Sequence, residues 1–147
     1  MTFVKAEFGP DQTHVPLLMG LLFREVHQIF DSEDWGGLRQ SHFRVVSSVP
    51  DGGVSITELA ERVRMTKQGC GQFVTQLVET GHLAVESDPD DRRVRRVRRT
   101  AKGRRLLEAV RKRNLRIEHD WTDVVGERRY RVFRQVLEEL ALDSLRG

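Results

Sequence analysis

Residues 55–99 read SITELAERVRMTKQGCGQFVTQLVETGHLAVESDPDDRRVRRVRR, and the order of elements in this stretch decides the fold. It opens on Ser55-Ile56-Thr57-Glu58, the S-x-x-E form of a capping box, in which serine and glutamate satisfy amide donors that a helix N-terminus leaves unpaired. Ile56, Leu59, Ala60 and Val63 then recur at i, i+3, i+4 and i+7, so a short amphipathic helix is expected. After a brief turn at Arg64-Met65, Thr66 is placed to cap a second helix that continues to Thr80, with Gly81 as its stop. Cys70, Phe73, Val74, Leu77 and Val78 form the apolar stripe of that helix. His82 to Ser87 alternates around Leu83 and Val85 as a strand, Asp88-Pro89-Asp90-Asp91 makes an acidic turn, and Val94 to Arg99 returns as the partner strand. Helix, tight turn, helix, strand, basic turn, strand is a helix-turn-helix followed by a wing.

Outward from this centre the chain is helical. Val15, Leu18, Leu22, Val26 and Ile29 mark one face of a helix from about Val15 to Phe30, followed by a break at Asp31 to Gly37. Leu38 to Val49 reads as a further helix with Phe43, Val46 and Val49 inward, stopped by Pro50-Asp51-Gly52-Gly53. Beyond Thr100, the residues Leu106, Val110, Ile117, Trp121 and Val124 recur at nearly heptad spacing. After Gly126 a last helix carries Tyr130, Phe133, Val136, Leu137 and Leu140. The expected class is mainly α with a small two- to three-stranded β wing. Residues 38–100 are expected to form the winged helix-turn-helix DNA-binding unit, and 14–32 with 101–145 helices from both termini. Those terminal helices are apolar on one side and lie outside the central unit, so a homodimer that buries them is the economical expectation, with a monomeric bundle as the alternative.

Charge points to the ligand. Over 147 residues, 25 Lys+Arg against 22 Asp+Glu leave only +3, yet residues 88–105 carry a net +6 and the remainder −3. Such polarity steers a polyanion to one face, whereas a solvated arginine-rich surface is the bland alternative. The face of the second helix opposite its apolar stripe carries Gln68, Gln72, Thr75 and Glu79. Glutamine can bond bidentately to adenine, and threonine offers a hydroxyl and a methyl to a base pair. Gly69 and Gly71 each cost a helix interior about 1 kcal/mol relative to alanine, so either backbone approaches something closely there or the pair is merely tolerated.

Several function classes lack their residues. Cys70 is the only cysteine, which excludes an intrachain disulfide and a CxxC metal site. The five histidines are scattered, without an i, i+4 pair or HExxH, and no GxSxG, P-loop or GxGxxG is present. No enzyme, cofactor or metal is therefore expected. No apolar run approaches the roughly 20 residues of a bilayer span and no signal pattern opens the chain, so a cytoplasmic protein without membrane contact is expected.

The pieces together resemble the MarR family of winged helix-turn-helix transcriptional regulators, over nearly the whole chain from about His14 to Leu145. The resemblance rests on Ile56 to Arg62 (ITELAER), Met65-Thr66-Lys67-Gln68, the Leu77 to Leu83 exit (LVETGHL), Asp88 to Arg93 (DPDDRR) and Thr100-Ala101-Lys102-Gly103. It implies a dimer on double-stranded DNA, with two recognition helices in successive major grooves of a pseudo-palindromic operator, and regulation by a small aromatic or anionic effector. The family's D-x-R falls on Asp91 and Arg93, making Arg93 the side chain inserted into the minor groove and Asp91 the carboxylate that orients it. Arg92 and Arg95 would contact phosphates, and Thr66, Lys67, Gln68, Gln72 and Thr75 complete the expected DNA contacts. The ligand cavity would lie between dimerisation helices and DNA-binding unit, with Phe30, Trp35 and His42 as candidate lining.

The chain departs from the family at Arg96 and Arg99, where aliphatic residues are usual. Val94 and Val97 also break strict alternation. Either the strand is bulged, or the two arginines run their stems along the surface with their heads in water or on DNA. Cys70, on the apolar stripe, is expected to be a packing residue; an oxidant-sensing thiolate is the other reading. The expected function is a dimeric sequence-specific transcriptional regulator, a repressor released by a small ligand. An architectural DNA-binding protein with little sequence preference is the alternative, and a winged helix that meets an acidic protein partner is a third.

Overall fold

The computed structural model describes residues 13–147. Its elements are α1 (Val15–Asp31), α2 (Gln40–Ser47), β1 (Val54–Ser55), α3 (Ile56–Val63), α4 (Lys67–Glu79), β2 (Leu83–Ser87), β3 (Arg95–Arg99), α5 (Ala101–Val125) and α6 (Glu127–Ser144). They group into two compact units, one ending at Arg104 and the other spanning Arg105–Gly147. Among the described residues no helix is long and apolar enough to cross a membrane.

Within the first unit, α2, α3, α4 and a three-stranded antiparallel sheet of order β1-β3-β2 enclose one core. Val45, Val46, Val49, Val54, Leu59, Leu77, Leu83, Val97 and Cys70 are essentially without solvent contact. The predicted stripes of α3 and α4 supply much of it, with one exception: Val78 remains exposed. Burial of these side chains, each worth roughly 1.5–3 kcal/mol, is what holds the short helices together, since eight residues alone would not stay helical.

The helix starts follow their caps. Ser55 Oγ accepts from the Glu58 N–H at 3.1 Å, but the Glu58 carboxylate turns to Arg62 instead of closing the capping box. Thr66 Oγ1 accepts from the Gly69 N–H at 3.0 Å. A Cβ on Gly69 would meet that same hydroxyl at 3.0 Å, so Gly69 makes room for the cap, whereas Gly71 faces open space. Between α3 and α4 the chain reverses at Arg64, which adopts a left-handed conformation (φ 55°), and Met65 N–H closes onto Ala60 O at 2.9 Å.

The sheet is continuous. Leu83 pairs with Arg99, Val85 with Val97 and Ser87 with Arg95, residue for residue, so β3 has no bulge. Val94 lies outside the strand: its N–H bonds Asp91 O and its carbonyl accepts from Asp88 N–H, closing the wing turn. With Val94 removed, Arg95, Val97 and Arg99 alternate regularly with Arg96 and Arg98. Thr100 ends the sheet and begins α5. Its hydroxyl donates to Gly81 O at 2.5 Å and accepts from Gly103 N–H at 3.1 Å. Gly103 packs so tightly that a Cβ would lie 2.2 Å from His82 O.

The terminal helices keep much of their apolar surface in solvent. On α1 only Phe30 is buried, while Val15 and Phe23 are at least 60% exposed. On α5, Leu106 and Ile117 are buried, and Val124 is open. On α6 no residue is buried, and Val132, Val136, Leu140 and Leu142 are all exposed, as is Leu145 just beyond its end. In the second unit, Glu118 ties α5 to α6 by accepting from Tyr130 Oη at 2.7 Å and from the Arg134 guanidinium.

Candidate nucleic-acid interface

The outer face of α4 and the wing present the expected residues differently from one another. On α4, Lys67, Gln68, Gln72 and Thr75 are exposed, as is Thr66 at the cap. Thr75 Oγ1 donates to Gly71 O at 2.9 Å, so its hydroxyl proton is spent within the helix and only its lone pairs and methyl remain for a partner. Gln68 and Gln72 keep the whole amide, and with it the capacity to read both a donor and an acceptor on a base edge.

The six arginines of the wing divide into two sets. Arg96 donates to Asp88 Oδ2 at 3.2 Å and to the carbonyls of Gly52 and Gly53 at 2.9 and 3.0 Å. Arg98 pairs with Glu86, and Arg99 with Asp51 at 2.7 Å. These three are ion-paired within the protein, Arg98 in a solvent-exposed pair. Arg92, Arg93 and Arg95 are exposed and, among the described residues, make no ion pair. The surface-running stems expected for Arg96 and Arg99 are present, but their heads end on protein acceptors rather than in water or on DNA. An aliphatic residue in either place would leave Asp88 or Asp51 without its cation.

The wing turn is built by carboxylates that take backbone protons. Asp88 Oδ1 accepts from the Asp90 N–H at 2.8 Å. Asp91 Oδ1 accepts from the Arg93 N–H at 3.0 Å, so Asp91 holds the backbone of Arg93 and not, as expected, its guanidinium. The Asp90 amide and then the Arg96 guanidinium hold the Asp88 carboxyl below the usual carboxylate range. Carboxylates thus shape the turn from within, and it presents Arg92 and Arg93 outward beside the exposed Asp90 and Asp91.

The proposed effector residues separate. Phe30, Trp35 and Phe43 form an aromatic cluster with centroid distances of 5.2 to 5.9 Å. Phe30 and Trp35 line an open cleft of about 660 Å³ with His27, Leu38 and Arg39, and Trp35 Nε1 is buried without a hydrogen-bond partner among the described residues. His42 does not line this cleft. Its ring lies edge-on to Phe73, its Nδ1 accepts from the Arg39 N–H at 3.0 Å, and its Nε2 sits 3.0 Å from Gln76 Oε1. Position-by-position reading missed this because α2 and α4 meet only in the tertiary fold. Cys70 is fully buried, and burial pushes its thiol up, away from the reactive thiolate.

Comparison with known proteins gives the same architecture. The family model described as MarR family matches residues 37–94. Uncharacterized proteins of Mycobacterium tuberculosis and Mycobacterium bovis are 27% identical over 123 residues, 84% of each chain. Among solved structures, MarR superimposes with a TM-score of 0.75 at 21% identity, covering 91% of this chain and 92% of that one. FabT of Streptococcus pneumoniae, solved in complex with DNA, gives 0.72 at 16% identity over 89% and 96%. PcaV, a transcriptional regulator of Streptomyces coelicolor solved with its natural ligand, gives 0.66 at 20% identity over 88% and 92%. At these identities the structural likeness establishes the fold.

Proposed function

On the match of residues 37–94 to the MarR family model, we propose that the chain is a homodimeric, sequence-specific DNA-binding repressor released by a small ligand. The observation that carries the reading is the division of the wing arginines. Arg96, Arg98 and Arg99 are tied to Asp88, Glu86 and Asp51, so the exposed charge is concentrated in Arg92, Arg93 and Arg95 beside a helix face of Gln68, Gln72 and Thr75. Free guanidinium groups suit phosphates and a narrow minor groove; uncharged amides suit base edges. An acidic protein partner would have no use for the amides.

Dimerisation is supported by the apolar surface left open on α1, α5 and α6, which a second copy could cover. The aromatic cleft beside Trp35, whose buried indole N–H has no partner among the described residues, supports an aromatic or anionic effector. Selection of bound sequences from random DNA tests the whole proposal. A regulator returns a palindrome with half-sites about one helical turn apart and binds it at least about 10³-fold tighter than random DNA. An architectural protein returns no consensus. Titration of the recovered complex with phenolic acids then tests release.

A further inference from the structure

The Gln76 side chain is exposed on α4 yet held at one end. Four residues after Gln72, it lies about 40° further round the helix, on the flank of the base-reading face nearest α2. Its Oε1 is 3.0 Å from His42 Nε2, and the protonation of that imidazole is dictated by its other nitrogen. His42 Nδ1 faces the backbone N–H of Arg39 at 3.0 Å. A backbone amide can only donate, so Nδ1 is the acceptor and a neutral ring must carry its proton on Nε2. That proton is donated to Gln76 Oε1. The ring is further fixed by its edge-on contact with Phe73, centroids 4.9 Å apart.

The consequence is directional. A free glutamine offers an acceptor and two donors, and reads adenine through both N6 and N7. At Gln76 the oxygen is turned toward His42, and among the described residues its amide nitrogen makes no hydrogen bond, so the N–H donors are the end left to face outward. An amide presented donor-first matches acceptor-rich edges, above all O6 and N7 of guanine, and mismatches the N4 amino group of cytosine. We propose that Gln76 is a specificity-determining residue of the recognition helix that selects guanine, and that His42 is the positioning residue that sets its amide. The inference rests on the DNA-reading function proposed above.

The test is selection of bound sequences from random DNA by the full-length wild type and by Gln76→Glu, Gln76→Ala, His42→Ala and His42→Phe, each checked for folding by its thermal transition. The wild type should show one guanine per half-site that Gln76→Ala no longer selects, with roughly a five- to hundredfold loss of discrimination there. Gln76→Glu, nearly identical in shape but acceptor-only, should turn the same position toward cytosine. His42→Ala should release the amide and admit adenine there. His42→Phe keeps a ring against Phe73 but removes both nitrogens, so it should broaden the position in the same way. A loss of stability alone would lower affinity without altering the base chosen. Identical consensus sequences for wild type and both Gln76 variants would overturn the proposal while leaving the DNA-binding function intact. Absence of any consensus for the wild type would overturn both.

Discussion

Arg96 lies 3.2 Å from the Asp88 carboxylate and at the same time bonds the carbonyls of Gly52 and Gly53, so one side chain joins the wing turn to the turn that precedes β1. Arg96→Leu should therefore destabilise the protein by about 1 kcal/mol or more, because it strands a half-buried carboxylate and two carbonyls. It should also weaken DNA binding without belonging to the free arginine set. Arg98→Ala, which removes an exposed pair with Glu86, should change stability by less than about 0.5 kcal/mol. Equal denaturation midpoints for the two variants would remove the pinning role of Arg96.

Acid should loosen the wing. Because the folded carboxyl of Asp88 is held below its ordinary range, first by the Asp90 amide and then by Arg96, its contribution is complete above the unfolded carboxylate pKa. It is lost as pH falls through the lowered folded value. Amide resonances of Asp90 and Asp91, whose N–H groups both donate to Asp88 Oδ1, followed by NMR from neutral pH downward, should shift together on the acid side of the usual carboxylate range. A wing that titrates at the ordinary value would contradict the geometry.

Arg93→Ala should weaken binding to every operator and lower the magnitude of the log-log salt slope by about 0.9 if one phosphate contact is lost. Loss confined to operators with A/T-rich flanks, at unchanged slope, would instead place the side chain in the minor groove. An unchanged affinity at low and high salt would take the wing out of the interface. Anisotropy titrations at several salt concentrations separate the three outcomes.

Gly103→Ala should be among the most damaging small substitutions in the first unit. The added Cβ would lie 2.2 Å from the His82 carbonyl oxygen, a backbone atom that cannot move without disturbing Thr100 and Gly81. Overpacking of this kind costs about 1–3 kcal/mol. Gly71→Ala, which meets nothing within 4 Å, should gain stability from improved helix propensity; any loss it causes in DNA affinity would mark close approach of the helix backbone to the duplex. Thermal melts and binding assays of both variants check this.

Tyr130 should ionise at about 12, pushed up first by burial and then by its hydrogen bond to the Glu118 carboxylate. A raised folded value means that its stabilising contribution is complete below the unfolded tyrosine pKa near 10 and is lost as pH rises through about 12. Absorbance titration of Glu118→Gln should bring the transition part of the way down, because the burial remains. A transition that does not move would assign the shift to burial alone.

Much of the local structure was legible along the chain because short-range rules specify it. Ser55 and Thr66 cap as their types predict, Gly81 ends α4, and the stripe of Leu59, Ala60 and Val63 is buried because 3.6-residue periodicity places those side chains on one face. Val78 stays exposed because the apolar stripe is wider than the surface that α2, α3 and the sheet cover. Glu58 leaves the capping box open because Arg62, one turn on, competes for its carboxylate. The wing was located by composition, but its division into bound and free arginines was not visible there.

From the sequence alone followed the order of elements, the reading helix, the basic wing and the family they resemble, all of which depend on residues within a few positions of one another. Only the tertiary structure decided which cations are available and which amide atoms face outward. Arg96 meets Gly52 across 44 residues and His42 meets Gln76 across 34. A guanidinium or an amide looks the same in any sequence; whether its donors are spent is settled by acceptors that folding brings to it from elsewhere in the chain.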